Sequence, residues 1–169
     1  GSGSHGEDDG VGTAASFYDP CDVSFSSDGL YIAVADEGNH MIRLITVATG
    51  AVVTLAGSGS EGSVDRVGTA ASFFAPLGVS FSSDGLYIAV ADTYNSMIRL
   101  ITAATGAVVT LAGSGSEGSV DGVGTAASFN IPYGVSFSSD GTYIAVADSR
   151  NNKIRLVAFG CSSCVAGQF

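Results

Sequence analysis

The chain has 169 residues, 46% of them hydrophobic, with 24 glycines, three prolines and no tryptophan. That apolar content argues against disorder and is enough for one domain with a substantial core, and no apolar run approaches the ~20 residues that a membrane-spanning helix requires. Six basic against sixteen acidic residues leave a net charge of −10, which repels a phosphate backbone, so nucleic acid is not an expected partner.

Residues 1–10, GSGSHGEDDG, return in outline 56 residues later: Gly1 to Ser4 matches Gly57 to Ser60, and Asp9 matches Asp65. The segment therefore reads as the linker that follows a strand rather than as an appended tag, and a strand is expected to precede residue 1. The string VGTAASF then occurs unchanged at 11–17, 67–73 and 123–129. Its aromatics, Phe17, Phe73 and Phe129, are expected to plug the space between neighbouring units. Pro20, Pro76 and Pro132 are expected to fix an extended lead-in to the next strand.

The unit that follows is clearest between Gly78 and Gly113. Val79 to Phe81 alternates apolar and polar, Tyr87 to Ala91 is an unbroken apolar run, Ile98 to Ile101 is apolar around Arg99, and Val108 to Ala112 is β-branched and apolar. Short connectors, Ser83 to Gly85, Asp92 to Ser96 and Ala104 to Gly106, join these four strands as antiparallel hairpins. Four strands in a meander describe one propeller blade. The run Pro76 to Val79, then Asp84-Gly85, Tyr87 to Asp92 and Asn95 to Arg99 resembles the NHL repeat, and Asn39 to Arg43 (NHMIR) is closer still to the motif that names it. The resemblance covers nearly the whole chain in three copies. It implies an all-β fold: a β-propeller segment of three four-stranded antiparallel blades, part of a six-bladed ring or a repeat assembly. The segment spans 1–169, with repeats at about 1–56, 57–112 and 113–160. Propellers of this family include protein-binding and RNA-binding modules and a few metal enzymes, so function has to come from the sites.

The third repeat departs from the others at its end. In place of the fourth strand it has Gly160-Cys161 to Cys164 and on to Phe169, which resembles the start of a cysteine-rich extracellular module of the EGF-like or ephrin-receptor type at 161–169. Cys161 and Cys164 could form half of a zinc site or a redox pair. No second Cys pair or His pair accompanies them, which leaves structural disulfides as the expectation. Cys21, standing where the sister repeats have Leu77 and Tyr133, is either a buried thiol or a third disulfide candidate.

Asp36, Asp92 and Asp148 close the second strand of each unit, and Arg43, Arg99 and Arg155 return on the third. Across a tight hairpin these pair as scaffold, with Asn39, Asn95 and Asn151 holding the loop. The functional alternative is an acidic ring that takes a cation such as calcium. No cofactor is otherwise expected. His5 and His40 stand at different repeat positions, and His40 is expected in a solvated loop. With too few imidazoles for a channel metal and no nucleophile elbow or phosphate loop, nothing demands an enzyme.

The three units differ mainly in two places. One is the lead-in, Tyr18-Asp19, Phe74-Ala75 and Asn130-Ile131, with Cys21, Leu77 and Tyr133 beside it; the other is the loop between the second and third strands. In a meander both lie at the same end of the blade, whereas the SSDG and ATG turns of the opposite end hardly change. This pattern fits a scaffold presenting a varied recognition surface. The expected contact residues are Tyr18, His40, Phe74, Tyr94, Tyr133, Arg150 and Lys153. The reading is a non-catalytic, extracellular or cell-surface module whose partner is a protein, a glycan or further copies of itself, as a homo-oligomer, a fibre or part of a longer chain. Ser/Thr-rich linkers suit O-linked sugar, and no Asn-x-Ser/Thr sequon is present. The rival is part of a metal-dependent propeller lyase or hydrolase completed by other blades.

Overall fold

In the computed structural model, which describes residues 1–160, the segments read above form three antiparallel sheets. The first has the order β1 (Gly10–Val11), β5 (Ala51–Ala56), β4 (Met41–Thr46), β3 (Tyr31–Asp36) and β2 (Pro20–Phe25). The second runs β6 (Pro76–Phe81), β7 (Tyr87–Asp92), β8 (Met97–Thr102) and β9 (Ala107–Ala112). In the third, β10 (Pro132–Phe137), β11 (Tyr143–Asp148) and β12 (Lys153–Ala158) are described. Residues 161–169, and with them the expectations for Cys161 and Cys164, lie outside the described residues. The four-strand meander is as expected; β1 is an addition. In the first and second blades the preceding linker lies along the outer strand, Gly10 opposite Val52 and Val11 opposite Ala51, and Val67 bridging to Ala107.

The unbroken run Tyr-Ile-Ala-Val-Ala-Asp explains how the blades meet. An alternating strand leaves one face in water, whereas a continuous apolar strand needs cover on both. In the middle blade Ile88, Ala89, Val90 and Ala91 are all fully buried, because a blade is stacked on each side. Two cores result. Phe73, Ala33, Ala35 and Ile42 meet Val79, Ile88 and Val90 between the first and second blades, and Phe129, Ala89 and Ile98 meet Ile144 and Val146 between the second and third.

The innermost strands β2, β6 and β10 lie side by side but belong to separate sheets. Side chains link them: the Val79 N–H donates to the Asp22 carboxylate at 2.9 Å, Phe81 N–H to Ser24 Oγ at 3.0 Å, and Phe137 N–H to Ser80 Oγ at 3.0 Å. Gly78 holds the position of Asp22, and a Cβ there would run into the Tyr133 carbonyl.

The SSDG turns owe their shape to the aspartate. Asp28 Oδ1 accepts from the Ser26 hydroxyl at 2.6 Å and from the Leu30 N–H at 2.9 Å. Asp140 accepts from Ser138, from the Thr142 N–H and, in addition, from the Thr142 hydroxyl at 2.8 Å. The Ser138 hydroxyl, followed by the Thr142 donors, holds the Asp140 carboxyl down at about 2, from an ordinary 3.8. The folded value is the depressed one, so the contribution of Asp140 to stability is present above pH 3.8 and is lost as pH falls through about 2. An NMR titration of its side-chain carbon is expected to show a midpoint near 2, and Ser138→Ala is expected to move it back toward 3.8.

One expectation fails at the prolines. The residue before each proline was expected to be extended, yet Asp19, Ala75 and Ile131 have φ of 48, 47 and 52°, in the left-handed region that side chains avoid. The cause lies across the blade: the carboxylates of Asp36, Asp92 and Asp148 accept the N–H of Tyr18, Phe74 and Asn130, each at 2.8 Å. That anchor bends the chain one residue before the turn.

Candidate functional site

The varied end of the blades is built on those aspartates. While Asp36 Oδ1 holds the lead-in, its Oδ2 accepts from Arg43 at 2.8 Å and from Asn39 at 2.9 Å. Arg43 is itself fully buried and reaches back to the preceding linker, donating to the Ser16 carbonyl at 3.0 Å, the Asp8 carbonyl at 2.9 Å and the Asp9 carboxylate at 2.8 Å. Arg99 and Arg155 repeat the arrangement on Asp92 and Asp65, and on Asp148 and Asp121. The guanidinium carbons sit 5.2, 5.3 and 4.9 Å from the ring centres of Phe17, Phe73 and Phe129, where the rings offset the cost of burying a cation. In all three arginines Nε has no hydrogen-bond partner. Burial pushes the Asp92 carboxyl up, while the Asn95 amide, the Phe74 N–H and Arg99 pull it back. Asp9, Asp65 and Asp121 were not read as arginine partners, although their recurrence every 56 residues was the available signal.

On this frame the lead-in and the loop between the second and third strands of each blade hydrogen-bond directly. Gly38 N–H donates to the Tyr18 carbonyl at 2.9 Å, Tyr94 N–H to Phe74 at 3.2 Å and Arg150 N–H to Asn130 at 3.1 Å. The loops are short 3₁₀ turns, Glu37–Asn39, Thr93–Asn95 and Ser149–Asn151, each ended by a left-handed residue, His40, Ser96 or Asn152. The two varied regions therefore form one surface.

Aromatic rings gather there. Tyr18 stacks on His5 with centroids 4.6 Å apart. His40 meets Phe74 edge-on at 5.7 Å, and Phe74 lies 5.2 Å from Tyr94. Tyr94 is 56% exposed and Tyr133 52%. Tyr133 and Lys153 line a shallow recess with Ser149 and Asn152 on the third blade; Lys153 Nζ also donates to Ser119 Oγ at 2.7 Å. Arg150 is exposed beside them. His40 does not sit in a solvated loop as expected. It is half-buried, and its Nδ1 accepts the Ala75 N–H at 3.1 Å, clamping the second blade to the first. In the next pair Thr93 does the same work through its hydroxyl, which donates to the Pro132 carbonyl at 2.8 Å. His5 was not read as part of this surface; its counterparts Glu61 and Glu117 have no ring.

Cys21, a disulfide candidate, is an exposed thiol with no disulfide partner among the described residues. It donates to the Asp19 carbonyl at 3.1 Å and to Glu37 at 3.2 Å. Partial burial, then the hydrogen bond and charge of Glu37, push it up to about 12, from 9.0. Thiolate is the nucleophile, so at pH 8 Cys21 holds about a thousandfold less of it than an ordinary cysteine. Alkylation by iodoacetamide, followed by mass on the Cys21 peptide, is expected to be correspondingly slow and to accelerate in Glu37→Ala. Among the described residues, no group of three or more His, Cys, Asp or Glu side chains is placed to hold a metal ion.

Antiparallel four-stranded blades, stacked face to face with their first strands side by side, define a β-propeller. Comparison with known proteins agrees. The WD domain, G-beta repeat model matches residues 124–157. The chain is 32% identical over 153 residues to NHL repeat-containing protein 2 of Bos taurus, covering 85% of this chain and 21% of that protein, and 31% identical over 153 residues to its Homo sapiens counterpart, with the same coverage of 85% and 21%. An auxiliary nutrient binding protein from Bacteroides thetaiotaomicron superposes with a TM-score of 0.70 at 25% identity, covering 84% of this chain and 37% of that one. The chain is a run of NHL-type β-propeller repeats. It spans about a fifth of the length of the curated relatives it matches.

Proposed function

We propose that this chain is a non-catalytic recognition module, working outside the cell, that presents the varied end of its blades to a protein or glycan. One observation carries the reading: the positions at which three near-identical units differ coincide with the surface where His5, Tyr18, His40, Phe74 and Tyr94 cluster. Exposed aromatics stack on sugar rings and anchor peptide side chains, and such anchors dominate binding energy where they occur. The similarity to an auxiliary nutrient binding protein supports a binding role.

The same reading includes assembly with like blades. Val23 and Phe25 of the first blade are each 60% exposed, whereas their counterparts Val79 and Phe81 are 3% and 8% exposed under a neighbouring blade. On the far side Ile154 is 55% exposed, against 0% for Ile42 and Ile98. Each open face is the counterpart of one closed within the chain, and a second copy closes both. Charge favours that pairing: Arg150 and Lys153 border the open third blade, while Asp19 and Glu37 border the first.

The test is a glycan and peptide array probed with the labelled chain. Tyr94→Ala is expected to keep the thermal transition and weaken the strongest hits by at least about tenfold, while Ser83→Ala on the opposite end leaves them unchanged. Hits untouched by both Tyr94→Ala and Tyr18→Ala would overturn the assignment of this face.

A further inference from the structure

A second site lies at the opposite end of the blades. Between the first and second blades a recess of about 530 Å³ opens, floored by Tyr31, Leu44, Phe81 and Ala103, with Asp28 and Asp84 on its rim. The equivalent place between the second and third blades is filled from within. Phe159 stands 56 residues after Ala103, and its ring packs edge-on against Tyr87 at 5.2 Å and Phe137 at 5.3 Å. Those two rings are the repeat counterparts of Tyr31 and Phe81. The same scaffold thus occurs twice, once with its aromatic plug and once without. The unplugged copy keeps the walls that fit a benzyl group.

We propose that this recess receives the phenylalanine or tyrosine side chain of a partner polypeptide, flanked there by basic residues. The occupied sister site identifies the group: a ring carried on a polypeptide, held edge-on between a tyrosine and a phenylalanine. Charge identifies its neighbours. Asp28 and Asp84 stand on the rim of a chain whose net charge is −10, and both carboxyls are held below their ordinary range, first by the hydroxyls of Ser26 and Ser82 and then by the N–H groups of Leu30 and Leu86. They stay anionic at any physiological pH and attract Lys or Arg beside the ring. The site is independent of the varied face, and binding there neither requires nor excludes it.

The experiment titrates the chain with acetyl-Lys-Phe-Lys-amide and follows backbone and ring shifts by NMR. Saturable shifts are expected at Tyr31, Phe81 and Ala103. Acetyl-Lys-Ala-Lys-amide, which lacks the ring, and acetyl-Glu-Phe-Glu-amide, which brings like charge to the Asp28 and Asp84 rim, are each expected to bind at least about tenfold more weakly. Ala103→Phe installs the plug found between the other blades and is expected to abolish the shifts while keeping or raising the thermal midpoint. Phe159→Ala unplugs the sister site and is expected to add a second set of shifts, at Tyr87 and Phe137. Equal binding of the acidic peptide, or binding that survives Ala103→Phe, overturns the proposal, as does a Phe159→Ala variant that folds and gains no site. Free 2-phenylethylamine binding as tightly as the peptide would assign the recess to small aromatic amines and overturn the choice of a polypeptide.

Discussion

Replacing Arg99 by alanine is expected to cost about 3–5 kcal/mol, the usual penalty for leaving one member of a buried ion pair alone. Asp92 is fully buried with it, 2.6 Å away, and no water reaches the carboxylate to replace the guanidinium. Arg99 also holds the Ser72 carbonyl at 3.2 Å and the half-exposed Asp65 at 2.6 Å, so the variant frees the linker between the first and second blades as well. For a chain of this size the loss corresponds to a fall of roughly 6–20 °C in Tm. Asp65→Ala, which removes the exposed partner, is expected to cost no more than about 1 kcal/mol. Thermal unfolding of the two variants side by side decides the matter, and equal losses would mean that the buried pair is not what fastens the blade. Replacing Arg99 and Asp92 together by Met and Leu is expected to lose less than Arg99→Ala, because no charge is then stranded.

The second large effect belongs to Phe73. Its ring is fully buried in the core between the first and second blades and lies under Arg99, so Phe73→Ala leaves a cavity that neighbouring blades cannot fill without shifting. A loss of about 3–5 kcal/mol is expected. Phe17 has the same sequence context but only a linker to cover it, and it is half-buried; Phe17→Ala is expected to cost about 1–2 kcal/mol. The sequence of the two sites is identical from Val to Phe, and only their stacking differs. Denaturant midpoints giving the two variants equal stability would contradict the claim that stacking sets the energy of these aromatics.

Much of this is legible in the sequence alone. The 56-residue period, the four strands, the Asp36 to Arg43 pairing distance and the shared end of the two varied regions all follow from spacing, because a meander leaves few ways to join short strands. What escaped was decided by side-chain contacts between strands of one blade and between blades. The rule that a residue before proline is extended failed at Ile131 because the Asp148 carboxylate overrides it from another strand. His40 looked like a loop residue because its acceptor role needs the Ala75 N–H of the next blade. The aromatic recess was present as a mismatch, Ala103 against Phe159, but its meaning depends on the two rings that flank each position.

A blade of this sequence buries its apolar faces only by stacking on another like it. The direct test is the native mass of the chain in solution, compared with Phe25→Asp, which places a charge on the open face of the first blade. Closed species at whole-number multiples of the 16.8 kDa chain are expected, the dimer first, with a monomer for Phe25→Asp whose thermal transition is intact. A wild-type chain that stays monomeric at tens of micromolar, with Val23 and Phe25 exposed and no tendency to pair, would contradict it.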